Sequence, residues 1–166
     1  FYGAEIHLVQ DHHLPLVYQD TLVLLAQTHK GYFNLCKLLT YSHREGKTNA
    51  YVPLSYLLSA DVDDLVAISP MRGLIRREDS QALNERCFAL KAHFNRRYYL
   101  IISKHLNAAE DTWIKPTLKL AHLHSLPILL SQDVYFHSPE QKYMSDLLTA
   151  MRLNQPVDQC VEHMFV

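Results

Sequence analysis

The stretch from 21 to 46, TLVLLAQTHKGYFNLCKLLTYSHREG, contains the unit from which the fold is built. Its first part, Thr21–Gln27, is a short apolar run bounded by polar residues, which is typical of a buried strand. After Gly31, apolar residues recur at helical spacing, at Tyr32, Leu35, Cys36 and Leu39. Gly46 is a suitable helix stop, so the stretch predicts a strand followed by a helix.

The same alternation of strand and helix recurs along the chain. Further strands are predicted at LVAIS (65–69), YYLIIS (98–103) and ILLSQD (128–133). Short helical structure is predicted near 53–59, and a helix over 112–125 with its start near Pro116. A longer helix is predicted where one apolar stripe runs through Leu83, Cys87, Leu90 and Phe94. Such alternation is typical of an α/β fold with a parallel sheet and crossover helices.

The last helix has the clearest start signals. Ser138 is suited to the N-cap, Pro139 to the first helical position, and Gln141 to the third position of a capping box. The predicted helix presents one apolar side, formed by Tyr143, Leu147, Leu148 and Met151. A boundary is predicted after Leu153, where the polar and proline-containing tail begins.

Composition excludes several classes of protein. A chain of 166 residues that is 48% hydrophobic and 20% charged is ordinary for one globular domain. The formal net charge of -1 gives no basic field with which to hold a polyanion. No apolar run approaches the ~20 residues of a membrane span, and no signal peptide is visible. Three widely spaced cysteines indicate reduced thiols, so we predict a cytoplasmic protein.

Residues that end the predicted strands are candidates for chemistry, because functional groups collect at the carboxyl ends of strands in parallel α/β folds. The candidates are Ser69, the segment Ser103-Lys104-His105, and Asp133 with Tyr135 and His137. Asp133, Tyr135 and His137 would share one face of an extended strand and could ligate a divalent metal. Alternatively, Asp133 bonds neighbouring backbone amides and His137 is a solvated residue of the turn.

Glu5 lies inside the apolar strand pattern GAEIHLV, with His7 on the same side. A buried carboxylate there would require a partner, so Glu5 is either a functional group or a residue of an edge strand that faces water. The basic pairs Arg76-Arg77 and Arg96-Arg97 adjoin predicted helices and are either solvated helix ends or contacts to a phosphate. No Gly-rich phosphate motif is visible.

Several blocks together resemble one family. They are GAEI (3–6), TLVLLAQTHKGYFNLCKLLT (21–40), LVAIS (65–69), YYLIISKH (98–105), LPILLSQDVYFHSPEQ (126–141) and DLLTAMRL (146–153). In this order they resemble the PHP domain (polymerase and histidinol phosphatase) of bacterial C-family DNA polymerases, similar to the polymerase III alpha subunit. The DVYFHSP block and the close LLTAMRLNQPVDQC look more like the error-prone branch than the replicative subunit.

The resemblance implies a distorted (β/α)7 barrel. Active members hold up to three metal ions at the carboxyl ends of the strands and hydrolyse phosphoester bonds as a 3′ to 5′ exonuclease. Zinc, manganese or iron would suit such a mixed shell of His, Asp and Glu. Glu5 and Asp133 match two of the family's carboxylate ligands, and His105 matches a His found in many relatives.

The resemblance also shows where ligands are lost. Thr21, Met71 and Tyr135 stand at positions where active members have His, Cys and His, and the family's His-x-His motif would precede Phe1. We therefore regard Glu5, Asp133 and His105 as vestigial metal ligands. Neutral side chains at the lost positions would leave a cation under-coordinated.

The sequence therefore predicts an N-terminally truncated PHP domain over residues 1–153, lacking its first strands, with 154–166 as the start of a connection to the polymerase body. The expected role is structural, within an error-prone polymerase whose magnesium-dependent nucleotidyl transfer lies elsewhere. Expected partners are the rest of that chain, DNA through it, and replication or mutagenesis accessory proteins. The alternative is an active metal-dependent exonuclease. An incomplete barrel would also leave a sheet edge exposed near 3–8 or 21–27.

Overall fold

Six strands in the described part of the chain form one mixed sheet. The structure is a computed structural model that describes residues 2–9, 20–46, 50–70, 80–103, 111–131 and 137–160. The strands are β1 (Tyr2–Val9), β2 (Asp20–Ala26), β3 (Val52–Pro53), β4 (Leu65–Pro70), β5 (Tyr98–Ile102) and β6 (Ile128–Leu130). Their order across the sheet is β3-β1-β2-β4-β5-β6.

Five α-helices accompany these strands in the described part of the chain. They are α1 (His29–Gly46), α2 (Leu54–Ser59), α3 (Ser80–Phe94), α4 (Asp111–His124) and α5 (Lys142–Leu153), with short 3-10 turns at Asn95–Arg97, Pro139–Gln141 and Val157–Gln159. The chain divides into two compact units, one of Phe1–Ile102 and Ala108–Leu130, the other of Ser103–Asn107 and Ser131–Val166. No described helix is both long and apolar enough to cross a bilayer.

The α/β class is confirmed, whereas the expectation of an all-parallel sheet is wrong. β1 pairs with β3, β4 with β5, and β5 with β6 in parallel, but β2 is antiparallel to both β1 and β4. Only ten residues separate Val9 from Asp20, and a parallel crossover needs about a dozen or more. Among the described strands β3 and β6 end the sheet without pairing to each other, so barrel closure stays a prediction.

The expectation of an exposed sheet edge near 3–8 or 21–27 is wrong, because β1 and β2 each have a neighbouring strand on both sides. β2 is interior, because it lies between β1 and β4. β1 also has a neighbour on each side, but β3 pairs only with Leu8 and Val9. Over Tyr2–His7, the described residues give β1 a partner on the β2 side alone.

One face of the sheet carries the hydrophobic core. Ile6, Leu24 and Leu100 project from this face and pack with the helices. The predicted stripe on α3 is confirmed, since Leu83, Cys87, Leu90 and Phe94 are all buried. On α1 the core residues are Leu35 and Leu38, whereas Tyr32, predicted on the apolar stripe, is 42% exposed.

Two predicted helix starts differ from the structure. α4 begins at Asp111, five residues before Pro116, and an ion pair from Lys115 to Asp111 at 3.1 Å supports its first turn. At the last helix, Ser138 makes no side-chain cap, and Pro139–Gln141 forms a 3-10 turn before α5. Ser138 instead bonds to the carboxylate of Glu140, which holds the pKa of Glu140 below its usual range. The capping box predicted there is therefore wrong.

Candidate functional site at the carboxyl edge of the sheet

The reversed direction of β2 creates the candidate site. Because β2 runs against β1 and β4, its first residues lie at the edge where those strands end. The register pairs Thr21 with His7, and Asp20 with Leu8. A residue that opens β2 therefore lies at the carboxyl edge, where the family resemblance expects metal ligands.

Glu5, His7 and Thr21 lie on the sheet face that points away from the core. Glu5 and His7 alternate with the buried Ile6 and Leu8 along β1, and both are exposed. His7 is directly opposite Thr21, whereas Glu5 is opposite Val23 and so diagonal to Thr21. Diagonal neighbours are about 7–8 Å apart, which long side chains can span.

The exposure of Glu5 answers the question left open by the sequence. Its carboxylate faces water rather than an apolar interior, so its charge requires no buried partner. This supports the water-facing alternative, although β1 is not the outermost strand of the sheet. Cys36, Cys87 and Cys160 are all thiols, and none of them forms a disulfide.

Ser69 has a structural role. It lies near the carboxyl end of β4 but on the core face, is fully buried, and accepts a hydrogen bond of 3.0 Å from the hydroxyl of Tyr98. On the neighbouring strand β5 it is paired with Leu100, which also lies in the core. Ser69 is therefore on the opposite side of the sheet from Glu5, and the expectation that it belongs to the site is wrong.

Four of the six predicted ligand positions lie outside the described residues: His105, Asp133, Met71 and Tyr135. Lys104 lies there too. His137 is described in the second unit, as an exposed residue of the bend that precedes the 3-10 turn at Pro139. This placement agrees with the interpretation of His137 as a turn residue.

The described residues do not form a metal centre. No group of three or more His, Cys, Asp or Glu side chains that could hold an ion is found among them. Glu5 and His7 would supply one carboxylate and one imidazole, fewer than the three protein ligands that even an open catalytic zinc site uses. The described part of the site therefore does not fit a multinuclear cluster.

An acidic segment at the opposite, amino edge went unnoticed in the sequence. The ammonium of Lys30 donates to Asp63 at 2.7 Å and lies 3.8 Å from Asp61, while Arg97 lies 3.9 Å from Asp63. The backbone N–H of Asp63 donates to Asp61 at 2.9 Å and, with Lys30, holds the pKa of Asp61 below its usual range. These contacts tie α1 and the 3-10 turn before β5 to the turn that precedes β4.

The run DVDD at 61–64 was the available signal for this network. Its cationic partners are 30 or more residues away in sequence, so spacing alone did not connect them. The network also assigns Arg97 to an intramolecular contact, which favours the helix-end interpretation of that residue.

The chain is similar to several proteins that are named error-prone DNA polymerase. The chain is 29% identical to the error-prone DNA polymerase of Pseudomonas paraeruginosa (strain DSM 24068 / PA7) over 163 residues, which is 98% of this chain and 14% of that polymerase. The corresponding polymerase of Pseudomonas aeruginosa (strain PAO1) is 29% identical over 164 residues, with the same coverage of each chain. That of Azoarcus sp. (strain BH72) is 31% identical over 141 residues, 82% of this chain and 13% of the polymerase.

No family model matches the chain. The similarity nevertheless extends over nearly its whole length, and the chain spans about one seventh of the curated relatives it matches. It therefore resembles one part of an error-prone DNA polymerase.

Proposed function

We propose that this chain is a PHP-type module of an error-prone DNA polymerase, with a degenerate metal site and a structural role. The relatives are named error-prone DNA polymerases, and similarity covers 98% of the chain. In this proposal residues 1–153 form the module and 154–166 begin the connection to the polymerase body. The parent protein works in the cytoplasm on DNA with magnesium, and accessory proteins of replication or mutagenesis assist it.

The exposed apolar side of α5 carries the structural proposal. Four large apolar side chains recur at helical spacing, which normally marks a buried face, yet each is 56–69% exposed. They are Tyr143, Met144, Leu148 and Met151. The opposite side of α5 holds the buried Thr149 and Ala150. Large apolar side chains clustered on one helix face are typical of a surface that another protein segment covers. The remaining six sevenths of the polymerase would supply that segment.

The degenerate site is supported by Thr21. It lies at the carboxyl edge, opposite His7, where the resemblance expects an imidazole. A threonine hydroxyl is a poor ligand for zinc, manganese or iron compared with imidazole. The proposal extends this loss to Met71 and Tyr135, and Glu5, Asp133 and His105 are then remnants of the ligand shell.

The second candidate function is an active exonuclease. It is favoured by the placement of Glu5 and His7 on one face beside Thr21, because a carboxylate and an imidazole side by side could still hold one divalent ion. Residues preceding Phe1 would then have to complete the site.

Metal content and nuclease activity distinguish the two functions. The full-length product of the gene that encodes this chain is purified with zinc, manganese or iron supplied, analysed by plasma mass spectrometry, and assayed on a 3′-labelled primer in manganese. The structural proposal expects no stoichiometric metal and no cleavage above that of Asp133→Ala or Glu5→Gln. Stoichiometric metal with cleavage abolished by Asp133→Ala would instead establish the exonuclease.

The α5 face is tested in the full-length product of the gene that encodes this chain. Leu148→Glu, at 59% exposure, is compared with Leu118→Glu on α4, at 46% exposure. We expect Leu148→Glu to lower primer extension and to increase cleavage by trypsin, while Leu118→Glu stays close to the parent protein. Equal extension and equal protease resistance in both variants would refute a docking role for α5.

A further inference from the structure

A groove lies between the ends of α3 and α4, at the amino ends of β5 and β6. Its volume is about 660 Å³, within the range of sites that hold a ligand or a few side chains of a partner. It lies on the opposite edge of the sheet from Glu5, His7 and Thr21, within the first unit. The lining residues that matter are Phe88, Lys91, Arg96, Leu123, Leu126 and Pro127.

The rim of the groove is apolar and exposed. Phe88 on α3 is 67% exposed and Leu123 on α4 is 63% exposed. Leu126 forms a buried part of the lining. Two large apolar side chains that face water on either side of a concave surface are suited to receive an apolar side chain between them.

Hydrogen bonds hold the two walls together. The ammonium of Lys91 on α3 donates to the backbone carbonyl of His124 on α4. Nε2–H of His124 donates in turn to Oδ1 of Asn84 on α3 at 3.0 Å. Ser125 has a left-handed backbone with φ 49°, and the N–H of Leu126 donates to the carbonyl of Ala121 at 2.8 Å, which closes the end of α4. The groove is therefore formed before any partner binds.

The charge of the groove is positive. Lys91 and Arg96 line it, and none of the described lining residues is acidic. Among the described residues, no carboxylate lies within ion-pair distance of either cation. Burial and the neighbouring Lys91 lower the pKa of His124, which favours the neutral form of its imidazole. Arg96 is exposed and can form a bidentate pair with an incoming carboxylate.

We propose that this groove is a docking site for an acidic peptide segment of a partner protein. The segment would place an apolar side chain between Phe88 and Leu123 and its carboxylates against Arg96 and Lys91. This role goes beyond the structural function proposed above, because it adds a contact to a separate protein at the edge away from the candidate site.

A peptide fits the groove better than nucleic acid does. Two cations would neutralise about two phosphates, which gives only weak binding at physiological salt. The chain as a whole has a formal net charge of -1 and so supplies no wider basic field. The exposed Phe88 and Leu123 also have more to gain from an apolar side chain than from a phosphate backbone.

The test is a selection of random peptides displayed on phage. Peptides are selected on the chain and counter-selected on the double variant Phe88→Ala, Arg96→Glu. Both residues are exposed, so the variants are expected to fold, and circular dichroism checks this. Selected peptides are then synthesised with fluorescein, and their Kd is measured by anisotropy.

We expect groove-dependent peptides to combine Asp or Glu with a large apolar residue. Each single variant should weaken binding by about tenfold, the loss typical of an interface anchor. The control variants are Phe33→Ala, at the same 67% exposure as Phe88, and Lys37→Glu on α1, and both should bind as the parent chain does.

Two results would overturn the proposal. One is the recovery of no peptide that distinguishes the parent chain from the double variant, or only of peptides without acidic residues. The other is binding of labelled oligo(dT) that Arg96→Glu abolishes while no peptide competes, which would assign the groove to single-stranded nucleic acid.

Discussion

Gly31 in the first turn of α1 lies directly against the backbone of Asp64. A Cβ atom at Gly31 would be 2.3 Å from the carbonyl oxygen of Asp64, much closer than real contacts allow. The same carbonyl accepts a 2.9 Å hydrogen bond from the N–H of Gln27, and Thr28 donates to the Asp64 carboxylate at 2.7 Å. The start of α1 is thereby fixed against the turn that precedes β4.

Gly31→Ala is expected to destabilise the chain. Replacing glycine by alanine inside a helix normally stabilises by ~1 kcal/mol, but here the backbone would have to move to make room. We expect a net loss of about 1–3 kcal/mol, as for other overpacked sites. Urea denaturation measures it, with the exposed Lys37→Ala on the same helix as control. A Gly31→Ala chain as stable as the parent would show that the close approach is not required.

Leu90→Ala tests the apolar stripe of α3. Leu90 is fully buried and belongs to the core between α3 and the sheet. Removing its side chain should cost about 2–5 kcal/mol, through lost burial and the cavity that remains. Leu118→Ala, at a position that is 46% exposed, should cost much less, and thermal unfolding compares the two. Similar losses for both variants would contradict the burial of Leu90.

The bond from Tyr98 to Ser69 is suited to a double-mutant cycle. Both residues are buried, and the hydroxyl of Tyr98 donates to Oγ of Ser69 at 3.0 Å. Tyr98→Phe and Ser69→Ala should each cost about 1 kcal/mol, and the double variant less than their sum. Strict additivity of the two unfolding free energies would mean that the hydrogen bond contributes nothing.

His124→Gln should reduce the loss of stability in acid. Burial, followed by the charge of Lys91, lowers the pKa of His124 in the folded chain from its ordinary 6.5. The folded chain thus binds this proton more weakly than the unfolded chain, and stability falls as the pH drops below about 6.5. The melting temperature is measured between pH 7.5 and 5.5.

His122→Gln controls for removing one exposed imidazole from the same helix. We expect a smaller pH dependence for His124→Gln than for His122→Gln or the parent chain. Identical slopes in all three would remove His124 as a source of acid sensitivity.

The periodicity of apolar residues predicted the elements well. The stripe from Leu83 to Phe94 was recognisable because a helix that covers a sheet must repeat apolar residues every three or four positions. The strand at 65–69 was recognisable because a run buried on both sides is almost wholly apolar. Both depend on local sequence alone.

The direction and register of the strands could not be predicted from local sequence signals. The pattern of β2 is the same whether it runs with β1 or against it, and the reversal follows from the connection between Val9 and Asp20. The pairing of His7 with Thr21 was likewise hidden, because register depends on two distant segments at once. Ser69 was wrongly included among the candidate site residues. The alternation of side chains along a strand does not show which face of the sheet packs against the helices.

The reversal of β2 also has an electrostatic consequence. α1 begins at His29, just after β2 ends at the amino edge of the sheet, and it ends at Gly46. The next strand, β3, pairs with the last residues of β1 at the carboxyl edge. A helix carries about half a negative charge at its C-terminal end, and His43 and Arg44 occupy that last turn of α1. In a regular strand-helix repeat every helix would direct its positive end to the carboxyl edge. Here the helix after β2 directs its negative end there, and this end favours the basic side chains of its own last turn, His43 and Arg44.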